Sequence, residues 1–124
     1  MNARDKGKRG ERLWRDELNN AGFIGSSRCG QQGNGGGVDN PDVICPLLSD
    51  WHFEVKFTQK LQLQKAIKQA TEDARGKRKI AVASKRKNEP WLITINAKDF
   101  LELLKYKQNS YKTNEQENET RTDT

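Results

Sequence analysis

The sequence predicts one α/β domain, a central mixed β-sheet with helices against it. Three observations predict this. Apolar residues recur at helical spacing in three separate segments. Short runs rich in β-branched and aromatic residues lie between them. Their order along the chain is α-β-β-β-α-β-β-α, which neither an all-helical nor an all-strand architecture accommodates. The length of 124 residues fits a single domain. The hydrophobic fraction, 32%, is low for a globular chain, so the core is small and part of the chain lies outside it.

The first helix is predicted over 2–20, where Leu13, Trp14, Leu18 and Ala21 share a spacing and Gly22 supplies the stop. A short strand is expected at 23–27. The segment "RCGQQGNGGGVDN", residues 28–40, holds too many glycines for helix or strand and reads as a mobile loop. Strands are expected at 42–45 and 51–58 with a turn at 48–50. The second helix spans 62–75, with Leu63, Ala66, Ile67, Ala70 and Ala74 on one face and Gly76 ending it. Strands follow at 80–83 and 91–95, joined by "SKRKNEP". Asn96 then caps a third helix that carries Phe100, Leu101 and Leu104, with Asp99 placed to suit its dipole. After Lys107 the aliphatic residues stop. The domain is therefore expected over 1–107, and 108–124 is expected to be a disordered polar tail.

Charge narrows the function. The net charge is +6 and the pI near 9.4, which favours an anionic partner. No apolar leader and no membrane-spanning run is visible, so an intracellular, cytoplasmic protein is expected and nucleic acid is favoured over lipid. Two cysteines, Cys29 and Cys45, and the single His52 form no zinc pattern. Free thiols in a reducing compartment are the simplest reading.

The candidate chemistry lies in "NPDVICPLLSDWHFEVKF", residues 40–57. Side chains alternate along a strand, so Glu54 and Lys56 share one face while Phe53, Val55 and Phe57 take the other. One face is expected to be core and the other charged. A hairpin connection brings Asp42 beside Glu54. Adjacent carboxylates repel unless a cation sits between them, and all-oxygen ligands suit Mg2+, or Mn2+, rather than zinc. Glu11 lies three and seven residues before Trp14 and Leu18, on the inward side of the first helix. A carboxylate there is costly unless paired, so it is a candidate ligand or ligand support. These acids lie amid basic segments. Lys6, Lys8, Arg9 and Arg12 crowd the first helix, and Lys77, Arg78, Lys85, Arg86 and Lys87 flank a strand. Acids set in a basic surface suit phosphodiester hydrolysis, with the cations holding the backbone.

"PDVIC…FEVK" resembles the PD-(D/E)xK nuclease signature. The opening "KGKRGERLWRDELNNAGF" followed by "SRCGQQGNGGGVDNPDV" resembles the archaeal-type Holliday junction resolvases, which phages also carry. The likeness covers residues 6 to about 95. It implies a restriction-endonuclease-like fold. It implies a Mg2+-dependent structure-selective DNA endonuclease, a homodimer, acting on branched DNA, foremost the four-way junction. The products would be 5′-phosphate and 3′-hydroxyl ends. Glu11, Asp42, Glu54 and Lys56 would be the catalytic set. Asp42 and Glu54, with Glu11 and the Val55 carbonyl, would hold the metal, and Gln69 would support the site. Ser27 and Arg28, with Ser26, would join the basic residues in contacting DNA. A nickase or flap nuclease with the same site, and a non-catalytic DNA-binding subunit, stay open. His52 shares the face of Glu54, where substrate contact, a base and plain rim polarity are all open. Asp39 competes with Asp42 but falls in the loop. Trp14, Trp51 and Trp91 read as core or dimer contacts.

Overall fold

The computed structural model describes residues 3–28 and 42–122, with side chains described as far as residue 110. The glycine-rich segment with Cys29 and Asp39, and Pro41, lie outside the described residues. Helix α1 spans Ala3–Asn20, strand β1 Ser27–Arg28, β2 Val43–Ile44, β3 Trp51–Phe57, α2 Leu63–Ala74, β4 Lys79–Lys85, β5 Leu92–Ile95 and α3 Ala97–Thr122. This is the order expected from sequence. The five strands form one sheet in the order β1-β2-β3-β4-β5. β1 with β2 and β2 with β3 are antiparallel, while β3 and β4 are parallel across the α2 crossover. The sheet is therefore mixed, and with α1 and α2 on it the fold is α/β and restriction-endonuclease-like.

The strand expected at 23–27 shrinks to two residues because the chain after α1 first makes a turn. Gly22 takes φ +105° and the Phe23 amide reaches back to the Leu18 carbonyl, which closes the helix. Ser26 is buried and fully engaged: its hydroxyl donates to the Phe23 carbonyl and its amide to Asn19 Oδ1. Asn19 returns a bond to the Ser26 carbonyl. Local bonds thus replace ladder bonds until Ser27.

β3 is the centre of the molecule. Its odd residues meet α1: the Trp14 ring lies 5.8 Å from Phe53 and 5.0 Å from Trp91. Its even residues lie in register with Ile80, Val82 and Ser84 of β4, on the face that α2 covers. Ala66, Ala70 and Ala74 pack there on Ile80 and Val82, with Leu63 and Ile67 at the margin. A stripe of alanines lets α2 sit close to the sheet. The face expected to carry charge does carry Glu54 and Lys56, and it is not left open. Both faces of β3 are covered, and Glu54 is only 3% exposed.

Gly10 explains how α1 reaches β3. A Cβ there would stand 2.6 Å from Phe57 Cβ, a contact next to backbone that cannot swing away. Gly10→Ala should cost about 2–3 kcal/mol of overpacking, more than the ~1 kcal/mol of helix propensity it gains. The expected result is a Tm lowered by about 5–10 °C in a thermal melt.

The chain divides into two units, 1–94 and 95–124. The second is essentially α3. Its helical backbone continues past Lys107 to Thr122, through most of the segment for which composition led us to expect disorder. Phe100, Leu101 and Leu104, which the third helix was expected to carry, are about half exposed. No helix among the described residues is long and apolar enough to cross a membrane.

Candidate active site

The antiparallel pairing of Val43 with Phe53 places Asp42 beside Glu54 in the ladder. Asp42 is tied to β3 twice. Its amide donates to the Phe53 carbonyl at 3.0 Å, and its Oδ2 accepts the Val55 amide at 2.8 Å. The second bond fixes the carboxylate against the sheet. Asp42 is pushed up to about 8 from an ordinary 3.8. Burial is the main cause, followed by the charge of Glu54. The Val55 amide opposes the rise, while the charge of Glu11 and a hydrogen bond with Glu54 add to it.

Glu54 has a nitrogen near each end of its carboxylate. Lys56 Nζ lies 3.7 Å from Oε1 and His52 Nε2 lies 3.9 Å from Oε2. Lys56 is held in turn by α2, donating to Gln69 Oε1 at 3.5 Å. Gln69 thus touches the lysine rather than standing in solvent alone. Glu11 is half-buried on α1, and its Oε2 accepts Arg28 Nε at 3.2 Å and Nη2 at 3.1 Å. Glu11 therefore reaches Asp42 through its field. Among the described residues, the group whose ligand atoms all lie within 4.8 Å of one another is His52, Glu54 and Asp73, not Glu11, Asp42 and Glu54.

The donor set fits a divalent cation. Burial first, and then the like charge of Glu54 and Glu11, make an ionised Asp42 costly. An oxygen-seeking dication would offset that cost.

A family model described as "Phage putative PDDEXK endonuclease" matches residues 2–124. The chain belongs to this PD-(D/E)xK endonuclease family. Nothing among curated proteins matches the chain, and no solved structure does. PD-(D/E)xK nucleases usually use divalent metals. The structure brings together Asp42, Glu54 and Lys56, the residues that the sequence likeness matched to the P-D and E-x-K signature.

The basic residues divide into two groups. Lys6 and Arg9 each lie 5.7 Å from the Phe57 ring, and Lys85 is paired in register with Phe57. With Arg86 and Lys87 after β4, they gather toward the end of β3 where Lys56 lies, while Lys8 and Arg12 lie elsewhere on the surface of α1. Lys85 is partly committed, donating to the Arg86 and Glu89 carbonyls. Lys77 and Arg78 precede β4 at its other end, about 20 Å along the strand. Ser27 is exposed on β1 while Arg28 is occupied by Glu11.

Sequence reasoning missed Lys60 and Lys65. They line an open cleft of about 430 Å³ with Lys56, Gln62 and Gln69. The signal was available in the cationic spacing after Lys56. The reading of His52 as rim polarity or substrate contact is corrected, because the ring is completely buried under α2. Trp14 is core, while Trp51 is half-buried with Lys79 Nζ 5.7 Å from its ring. Cys45 is a buried free thiol.

Proposed function

We propose that this endonuclease is a divalent-metal-dependent, structure-selective DNase, using Mg2+ or Mn2+, with the four-way junction as its leading substrate. The observation that carries the chemistry is the buried Asp42–Glu54 carboxylate pair, with Lys56 3.7 Å from Glu54.

Asp42 and Glu54, with the Val55 carbonyl, would hold the cation. The cation would supply Lewis-acid charge at the scissile phosphate and lower the pKa of the attacking water. The chain's own groups do the rest. The Val55 amide fixes the Asp42 carboxylate. Gln69 aims Lys56, whose ammonium orients water and stabilises charge gathering on the phosphate oxygens. Glu11 adds negative charge beside Asp42 while Arg28 limits its repulsion. The α1 cations with Lys85, Arg86 and Lys87 hold backbone phosphates near the site, and Lys60 and Lys65 extend that track through the cleft. Lys77 and Arg78 would engage a more distant arm of a branched substrate.

Junction preference is supported by the resemblance of the α1 opening and its following segment to junction resolvases. A homodimer is supported by the exposed Phe100, Leu101 and Leu104 of α3, an apolar stripe that a soluble chain gains by covering.

The test is cleavage of synthetic four-way, three-way, flap and linear duplex DNA by wild type and Asp42→Ala, with and without Mg2+. Metal-dependent, paired cuts in the four-way junction by wild type alone are expected. Equal cutting of linear and branched duplexes would remove junction selectivity. Single cuts or flap removal would favour the nickase or flap reading. Binding without cutting by both proteins would leave a DNA-binding subunit. Light scattering that gives a monomer at working concentration would overturn the dimer.

A further inference from the structure

We propose a second cation site on the inner side of Glu54, formed by His52, Glu54 and Asp73. It would take a first-row transition dication of the Mn2+ or Zn2+ class in preference to Mg2+.

One ligand atom from each of the three lies within 4.8 Å of the others. The positions follow from two matched repeats. On β3, His52, Glu54 and Lys56 recur on one face about 7 Å apart. On α2, Gln69 and Asp73 recur one turn, about 6 Å, apart. Gln69 meets Lys56, so the next turn brings Asp73 to Glu54 and His52.

His52 is the independent sign of a ligand. Its side chain is 0% exposed, and neither Nδ1 nor Nε2 has a hydrogen-bond partner. A buried polar group without a partner is destabilising. Ligation would satisfy one ring nitrogen, and the two carboxylates beside it provide the charge a dication needs. A nitrogen donor among oxygens favours transition ions over Mg2+, which prefers oxygen and water.

Glu54 divides its oxygens accordingly: Oε1 lies toward Lys56 and Oε2 toward His52. An inner ion would hold Oε2 and lock the rotamer that presents Oε1. The nuclease carboxylate would then be positioned from behind by a bound metal rather than by protein alone. The site itself does not depend on the nuclease reading.

His52 is the sole histidine, so imidazole nitrogen ligation can be read without ambiguity in tag-free protein. The experiment is Mn2+ titration without DNA, followed by pulsed EPR. Wild type should show nitrogen-14 modulation from a directly bound imidazole, and Asp42→Ala should keep it. Asp73→Asn, altered at the helix margin rather than in the core, should weaken that ion by at least about tenfold. Melting curves of metal-free protein check that this variant folds, and Glu54→Gln serves as the second variant if it does not. Absence of nitrogen modulation at saturating Mn2+ would overturn the proposal. So would unchanged affinity in the folded variant, or displacement of the nitrogen-ligated ion by a modest excess of Mg2+. Loss of DNA cleavage alone bears on the outer site, not this one.

Discussion

Glu54→Gln is expected to lower DNA cleavage by about a thousandfold or more while leaving DNA binding near wild type. Glutamine matches glutamate in shape, so the packing between β3 and α2 survives. What disappears is one negative charge at the point where Asp42, Lys56 and His52 converge. The remaining amide oxygen is a weaker partner for a dication, and Lys56 loses the carboxylate 3.7 Å away. DNA binding should persist because the cations that hold phosphates lie on α1 and beyond β4. Cleavage rates at saturating DNA, set beside a gel-shift titration, separate the two effects. A variant that cuts within tenfold of wild type would mean that Glu54 serves only to pair Lys56 and His52. Lys56→Gln is the companion measurement, since it should lose turnover while the metal still binds.

Much of this site is legible in sequence because it rests on short periods. A two-residue alternation fixes that Glu54 and Lys56 share a face. An antiparallel return is enough to set Asp42 against Glu54. Helix α2 follows the same logic: alanines four apart predict 62–75, and the helix runs Leu63–Ala74 with Arg75 in the left-handed conformation just before Gly76. What periodicity does not report is the element lying on top. Glu54 and His52 read only as the charged face opposite the core, and α2 buries both, because the small alanines allow a close approach that no spacing rule encodes. Asp73 reads as an ordinary polar helix residue, although it stands three residues after Ala70 on the inner side. The Glu11–Arg28 ion pair joins residues seventeen apart, and only the fold brings α1 to β1. At α3, composition spoke for disorder beyond Lys107, whereas runs of Glu, Gln and Lys also have good helix propensity. The helical backbone to Thr122 is consistent with the second tendency.

Asp42→Asn should stabilise the metal-free protein at pH 8 and at the same time remove its response to Mg2+. In the unfolded chain Asp42 releases its proton near 3.8, but in the fold it keeps it up to about 8. Between those values the native state binds more protons than the unfolded state. Stability from this residue is therefore full below about pH 4 and is lost as pH rises toward 8. The loss amounts to a few kcal/mol, roughly 10 °C in Tm for a domain of this size. Asparagine carries no charge to desolvate or to repel Glu54 and Glu11, and its side-chain oxygen can still accept the Val55 amide. Metal-free Asp42→Asn should thus melt about 10 °C above wild type at pH 8 and close to it at pH 5. Adding Mg2+ at pH 8 should raise the wild-type Tm, with proton release on binding, and leave the variant nearly unmoved. Melts at the two pH values, with chelator or with metal, give all four comparisons. If the metal-free variant is no more stable than wild type at pH 8, Asp42 is not held under repulsion. The dication would then lose its physical reason to be there. If the expected crossover appears, the unstable carboxylate pair is retained at a cost in stability that only the bound ion offsets.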